Sequence, residues 1–260
     1  MTEHKLTKCL LVVALLAMVC QSAFAGEMKK TDLQGSIVFA GNEAGSYDIW
    51  LMRADGSGKV NLTADAFDNS DPVFSPDGNT ILYTSLRKGI RQLWTIDRKG
   101  KNGKKVCNGC QADWSPDGTS IVFVRDGQVY TRVLATGKEK LVSPPMWERC
   151  GFPAWHPKGK GFALSSLHRK VVGVYMIGFG QDEPRRLGTR KEACTPRWRP
   201  DGTRLLYQTS SNVCWIEPDG KGDEQLTFGG DIQHYARFSP DGKMMVFCRA
   251  PAAEGPWRIV

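Results

Sequence analysis

Three cysteines and one histidine recur at similar distances before a proline, and as a group they could ligate a metal ion. Cys110, Cys194 and His234 each lie six residues before a proline, and Cys150 lies seven before one. Three thiolates and an imidazole suit tetrahedral Zn²⁺, and thiolates also suit softer metals. Cys107 adds a Cys-x-x-Cys spacing with Cys110. The residue types therefore permit a metal site if the fold brings these positions together.

The cysteines also fit a second chemistry, the disulfide. Two of the eight lie in an N-terminal apolar segment, which leaves Cys107, Cys110, Cys150, Cys194, Cys214 and Cys248. An even number in an exported chain is typical of disulfides, and sequence alone leaves the pairing open. Cys214 and Cys248 fall in strands of neighbouring repeats and make one plausible pair. Because the metal candidates are spread over separate repeats, we expect disulfides or free thiols and no cofactor.

The N-terminal segment has the pattern of a secretory signal. Lys5 and Lys8 precede an apolar run over 9–20, and Ala23-Phe24-Ala25 follows it. A run of 12 residues is shorter than the roughly 20 that span a bilayer. We expect a cleavable signal peptide over 1–25, a short segment over 26–34, no transmembrane anchor, and a periplasmic or secreted protein.

A turn built on proline and glycine repeats along the rest of the chain. Ser75-Pro76-Asp77-Gly78 has four further counterparts, with successive prolines 40 to 43 residues apart. Proline sets φ at the first corner, and glycine accepts the positive φ that returns the chain, so each copy predicts a tight hairpin. The turn residues are Pro76, Gly78, Pro116, Gly118, Pro157, Gly159, Pro200, Gly202, Pro240 and Gly242.

Short apolar runs around each turn predict four strands per repeat. An aromatic residue lies two positions before each proline and marks the end of the first strand. Predicted second strands lie at 37–39, 81–84, 121–124, 162–164, 205–207 and 245–248. Third strands lie at 48–52, 93–96, 129–133, 174–177, 213–216 and 257–260, and fourth strands at 60–62, 105–107, 140–142, 186–187 and 225–226. Four strands in about 40 residues favour a six-bladed, all-β propeller over 35–260, rather than a sandwich or solenoid.

First and fourth strands number five each, against six second and six third strands. The ring is therefore expected to close atypically where the first and last blades meet. Residues 28–34 could supply the absent inner strand, or the seam stays open. An open strand edge invites pairing with another chain, so an edge-strand dimer is one expected partner arrangement.

The repeats resemble the propeller domain of the TolB family. The segments 61–63 (Asn-Leu-Thr) and 72–78 (Pro-Val-Phe-Ser-Pro-Asp-Gly) carry the resemblance, as do 226–228 and 238–242. It covers 35–260 and does not include that family's N-terminal α/β domain. The resemblance implies a periplasmic adaptor that binds envelope proteins without catalysis.

In a four-stranded meander, the short Pro-Asp-Gly hairpins emerge on one face of the disc, here called the turn face. Longer connections emerge on the opposite face, the loop face. Binding residues favour variable loops on a rigid scaffold, and aromatic and arginine side chains favour interfaces. The predicted binding residues are Arg87, Arg91, Trp147, His168, Arg169, His234 and Tyr235.

Charge and motifs narrow the function further. A formal charge of +8 favours acidic partners, but export argues against nucleic acid and leaves anionic glycan as the alternative.

The sequence has no Gly-x-Ser-x-Gly, no His-Glu-x-x-His and no Walker loop. Asp71, Asp113 and Asp231 lie near predicted strand starts, but their spacing singles out none. We expect a non-catalytic scaffold that binds an envelope or extracellular protein; the alternative is a lyase or hydrolase acting on an acidic glycan at the mouth of the central channel.

Overall fold

A computed structural model describes residues 33–43, 45–168, 171–180, 184–251, 255 and 257–260. The predicted signal peptide and residues 26–32 lie outside this part of the chain. The described residues form 22 strands and no helix, so none of their elements is a helix that could cross a membrane. The strands make six antiparallel sheets in a ring, and the predicted six-bladed propeller is confirmed.

Each blade consists of strands that are consecutive in sequence. Blade 1 contains β1 (Ser36–Gly41), β2 (Asp48–Arg53) and β3 (Val60–Asn61). Blade 2 contains β4 (Asp68–Phe74), β5 (Thr80–Arg87), β6 (Ile90–Asp97) and β7 (Lys104–Asn108). Blade 3 contains β8 (Cys110–Trp114), β9 (Ser120–Arg125), β10 (Gln128–Val133) and β11 (Glu139–Leu141).

The remaining three blades follow the same order. Blade 4 contains β12 (Glu148–Trp155), β13 (Gly161–His168), β14 (Val171–Gly178) and β15 (Arg185–Leu187). Blade 5 contains β16 (Cys194–Trp198), β17 (Leu205–Gln208), β18 (Val213–Ile216) and β19 (Glu224–Gln225). Blade 6 contains β20 (Ile232–Phe238), β21 (Met245–Ala250) and β22 (Arg258–Ile259). The inner strands, nearest the channel, are β4, β8, β12, β16 and β20.

The repeated hairpin is held by its own side chains. In blade 3, Gly118 at φ +69° donates its N–H to Ser115 O at 2.9 Å. Asp117 Oδ1 accepts from Ser115 Oγ at 2.6 Å and from the Thr119 N–H at 3.0 Å. These hydrogen bonds, led by that from Ser115, lower the pKa of Asp117. The turn is thus specified locally, which is why it can be recognised in the sequence.

A hydroxyl residue after the fourth strand explains the Leu-Thr pattern. Thr63 Oγ1 accepts the N–H of Ile49 at 3.0 Å, and Thr227 Oγ1 accepts that of Val213 at 2.9 Å. Ser143 plays the same part in blade 3. Each hydroxyl satisfies a third-strand N–H at the point where the fourth strand has ended.

Every inner strand carries a bulge five residues before its turn proline. The register with the second strand shifts there in all five blades. The bulge residue has φ between +49° and +60°, a conformation that is uncommon for residues other than glycine. These residues are Asp71, Gln111, Phe152, Thr195 and Tyr235. The bulge bends the strand and re-aims the side chains that follow it.

The core lies between blades rather than within one layer. Alternate residues of each strand face the preceding and the following blade. The aromatic residue that ends each inner strand packs towards the preceding blade. Trp114 Nε1 donates to Val73 O at 3.4 Å, and Trp198 Nε1 donates to Ala154 O at 3.1 Å. The indoles therefore join successive inner strands as well as filling the space between them.

The seam between blades 6 and 1 has the predicted strand count. Among the described residues, blade 1 has no inner strand and blade 6 has no outer strand. The two blades meet through side chains, because Ile259 packs against Phe39 and Met52. Residues 28–32 of the segment suggested for the inner position lie outside the described residues, and Leu33 and Gln34 are not in a strand. The edge-strand dimer stays a prediction.

Candidate functional site

A cavity of 370 Å³ opens at the turn face of the central channel. Prolines of the repeated hairpin form part of its rim, and the aromatic residues at the ends of the inner strands form much of its wall. Blades 2 to 6 all contribute. The charged residues that line it are Asp113, Arg197, Arg199 and Arg237. The cavity therefore has an apolar wall, three arginines and one aspartate.

Burial shifts the pKa of three of these charged side chains. Desolvation raises the pKa of Asp113, and nearby Arg197 and Arg237 oppose that rise. Desolvation lowers the pKa of Arg197, and it lowers that of Arg237 to about 9, with repulsion from Arg197 as the next cause. Asp113 Oδ2 accepts the Trp155 N–H at 2.9 Å, so its carboxylate is tied to the neighbouring inner strand. Arg199 is paired with Asp201 at 3.2 Å.

The loop face carries half of the exposed apolar side chains. Among the described residues, ten large apolar side chains are exposed, and five of them lie in or beside the connections of this face. They are Leu86, Ile90, Met146, Val172 and Phe228. Leu86 and Ile90 flank the tip of the long β5–β6 hairpin, and Val172 lies at the start of β14. This distribution is typical of a surface that another molecule covers.

Two predicted arginines on this face have different surroundings. Arg87 is fixed: its guanidinium lies 4.4 Å from the Phe67 ring centroid and 3.9 Å from that of Trp94. It also pairs with Asp65 at 3.1 Å. Arg91 is exposed, directly across the hairpin from Leu86. Arg87 therefore supports the hairpin, whereas Arg91 is the arginine available for contact.

Trp147 does not belong to the binding surface, and its prediction as an interface residue is wrong. Its side chain is 5% exposed and packs between blades 3 and 4, with its ring 4.6 Å from that of Tyr175. The 144–147 turn, closed by the Trp147 N–H on Pro144 O at 3.0 Å, folds the indole back into the core. Arg169 and the side chain of His168 lie outside the described residues.

His234 and Tyr235 lie in the middle of β20, where Tyr235 is the bulge residue. The His234 ring packs 5.5 Å from the Trp257 ring, and its Nε2 lies 3.1 Å from Ser210 O. Burial lowers the pKa of His234, so the imidazole is neutral near pH 7. Tyr235 is 53% exposed, and its N–H donates to Gln208 Oε1 at 2.9 Å. Tyr235 is therefore the contact residue of this pair.

The cysteines lie in different places, and three of them are buried and three half-buried. All six described cysteines are free thiols. Cys107 packs between blades 2 and 3, and Cys110 and Cys150 pack between blades 3 and 4. The predicted Cys214–Cys248 disulfide is wrong in this structure. Val213 faces blade 6 while Cys214, next to it, faces blade 4, and Cys248 lies on β21 of blade 6.

The suggested metal ligands are distributed over separate blades. Cys110, Cys150, Cys194 and His234 lie on four different inner strands. They precede or adjoin the bulge, and the positions that line the cavity come after it. The described part of the chain contains no group of three such side chains arranged to hold a metal ion.

The thiols should resist alkylation in the folded protein. Burial raises the pKa of Cys107, Cys110 and Cys248 to about 11 from 9.0. Because thiolate is the reacting form, we expect alkylation by iodoacetamide at pH 8 to be about a hundredfold slower than in urea. Mass spectrometry of the cysteine peptides measures both rates. Equal rates, or a disulfide-linked peptide from unreduced protein, would contradict this arrangement.

Comparison with protein families places the repeats in a known group. A family model described as the TolB beta propeller domain matches residues 34–128 and 112–256. The chain belongs to the TolB β-propeller domain family. The resemblance seen in the turn and Leu-Thr segments is thereby confirmed.

Individual relatives show how far this TolB-like likeness extends. A TolB homolog of Chlorobium luteolum is 28% identical over 200 residues, which are 72% of this chain and 45% of that protein. The chain spans less than half the length of the curated relatives that it matches. TolB from Acinetobacter baumannii superposes with a TM-score of 0.72 at 19% identity, over 88% of this chain and 63% of that one.

A catalytic protein shares the architecture. An oligogalacturonate lyase in complex with manganese superposes with a TM-score of 0.56 at 15% identity, over 83% of this chain and 67% of that one. At such identities the likeness shows the fold alone. The TolB-like propeller is therefore a scaffold compatible with both binding and catalysis.

Sequence reasoning missed the arginines of the cavity. Asp113, Arg197 and Arg237 each lie three residues before a turn proline, where the other blades have Val73 and Ala154. Aligning the repeats at this offset reveals three charged residues in five copies. The bulge that turns this position towards the channel has no sequence signature here, because five different residue types occupy it.

Proposed function

We propose that this TolB-like propeller is an exported, non-catalytic scaffold that binds an envelope protein through its loop face. The observation that carries the proposal is the group of exposed apolar side chains there, five of the ten in the described residues. Membership of a family whose TolB relatives act in the periplasm supports the compartment. The N-terminal sequence pattern supports export.

The hairpin of blade 2 is the best-defined part of the proposed surface. Ile90 is 50% exposed and Leu86 is 39% exposed, and they lie beside Arg91 at the hairpin tip. The stack of Arg87 between Phe67 and Trp94 holds this tip in place. A preorganised apolar group beside an arginine has the composition of an interface hot spot.

A charge placed on this hairpin should remove binding without unfolding the protein. We expect Ile90→Asp to lower the affinity for the captured partner about tenfold or more, since a carboxylate would be buried at the interface. Val60→Asp is the matched control, because Val60 is 54% exposed and lies at the start of β3, away from the loop face. Both variants should keep the melting temperature of the unaltered protein within a few degrees.

The measurement is cross-linked capture from an envelope extract, followed by affinity measurement with the purified partner. The proposal requires one partner that the unaltered protein and Val60→Asp both retain and Ile90→Asp loses. Equal binding by the two variants would place the interface elsewhere. Absence of any protein partner would remove the scaffold function.

The alternative is an enzyme that acts on an acidic glycan. The favouring observations are the arginines of the turn-face cavity and the fold shared with an oligogalacturonate lyase. A lyase would release unsaturated products from oligogalacturonate, which absorb in the ultraviolet. Turnover that is lost in Arg197→Gln would establish this alternative, and absence of products would exclude that substrate.

A further inference from the structure

We propose that the turn-face cavity is a binding site for a carboxylate group, with Arg237 as its principal partner and Arg197 as the second cation. This site is distinct from the loop face and does not depend on the function proposed for it. Its ligand is a small molecule or chain end that presents a carboxylate on an apolar body.

Arg237 has no direct partner among the described residues. It lines the cavity, yet it forms neither a hydrogen bond nor an ion pair with any residue that the structure describes. Arg197 donates only to carbonyl oxygens, to Pro196 O at 2.8 Å and to Phe152 O at 3.4 Å. A guanidinium has five N–H donors, so both side chains retain donors for a ligand.

The carboxylates near these two arginines do not pair with them directly. Asp113 and Asp71 attract both arginines through space, but neither makes an ion pair with them. Asp113 is instead committed to the Trp155 N–H. The charges therefore remain separated around the cavity, and desolvation lowers the pKa of Arg237 to about 9. A carboxylate from a ligand would supply the direct hydrogen bonds that the protein withholds.

Arg237 lies in blade 6, beside the seam with blade 1. The residue three before the turn proline faces the following blade: Val73 packs between blades 2 and 3, and Asp113 reaches the inner strand of blade 4. By the same alternation Arg237 faces blade 1, whose described residues include no inner strand. Among the described residues, Arg237 therefore has no counterpart of the contact that the inner strand of blade 4 makes with Asp113.

The wall of the cavity indicates the rest of the ligand. Phe74, Trp155 and Phe238 line it together with the turn prolines. Its 370 Å³ lies within the range of about 300–1,000 Å³ that small-molecule sites occupy. Apolar walls with a few directed polar groups bind a carboxylate carried on a flat or apolar body. A peptide C-terminus and a uronic acid both offer this group.

The test uses a matched pair of probes that differ only in charge. N-acetylphenylalanine and its amide are titrated into the full chain by calorimetry, with galacturonate as a second source of carboxylate. We expect an acid to bind and the amide not to bind, and Arg237→Gln to weaken the acid about tenfold or more. Arg53→Gln is the control, because Arg53 is exposed on the turn face outside the cavity. The stronger of the two acids identifies the source.

A second measurement guards against a variant that does not fold. In the unaltered protein, the side-chain Nε resonance of Arg237 should shift as the acid is added and should not shift with the amide. Equal binding of acid and amide, full affinity in Arg237→Gln, or no binding of either acid would each overturn the proposal. Loss of loop-face binding would not affect any of these results.

Discussion

Replacing Gly161 by alanine should lower the free energy of unfolding by at least about 3 kcal/mol. Gly161 begins β13 with φ +135°, a conformation that residues with a Cβ rarely adopt. An added Cβ would lie 2.1 Å from Ile177 O and 2.9 Å from the Gly178 Cα. Both neighbours are backbone atoms of the paired strand β14, so the clash can be relieved only by moving the sheet.

Gly159→Ala is a matched control in the same hairpin. Gly159 has φ +66°, and an added Cβ would meet nothing within 4 Å. Only the cost of the left-handed conformation remains, about 1–2 kcal/mol. Urea denaturation followed by tryptophan fluorescence measures both variants. Equal losses would show that the close approach at Gly161 does not limit the fold.

Trp147→Ala should destabilise the propeller by about 3–5 kcal/mol, as expected for removing a buried indole. The side chain fills the space between blades 3 and 4 beside Tyr175, Phe162 and Leu164. Loss of partner binding in this variant would therefore report on folding rather than on an interface.

The adjacent Met146 provides the comparison. Its side chain is 83% exposed, so Met146→Ala should change the free energy of unfolding by less than about 0.5 kcal/mol. The urea midpoints of the two variants are compared under identical conditions. A small change in Trp147→Ala would mean that the 144–147 turn does not hold the indole in the core.

Blade number and strand order could be predicted because they depend on local chemistry. Pro116 and Gly118 determine their hairpin through adjacent backbone and side-chain atoms, and a Pro-x-Gly turn recurs in blades 2 to 6. The apolar strands that follow differ in length but keep their positions relative to the turn. The unequal numbers of strands at the seam followed from the same count.

The candidate sites depended on which face of a strand each residue occupies, and the sequence left this undetermined. Trp147 was expected at the surface because it lies in a long loop, but the loop folds back. Cys214 and Cys248 occupy neighbouring blades. Side chains alternate along the strand, however, so Val213 faces blade 6 and Cys214 faces blade 4. Arg237 reaches the cavity only because a bulge precedes it. For Trp147 and Cys214 the deciding contacts come from a neighbouring blade, whereas for Arg237 the backbone of its own strand decides.

The backbone conformation of the bulge in each inner strand does not depend on which side chain occupies it. The same backbone conformation is adopted by an acid, an amide, a hydroxyl residue and two aromatic residues, at Asp71, Gln111, Thr195, Phe152 and Tyr235. Each copy carries a conformational cost of about 1–2 kcal/mol, which the packing between blades offsets. Substitutions at and after the bulge can therefore change the side chains of the channel one blade at a time while the ring keeps its shape.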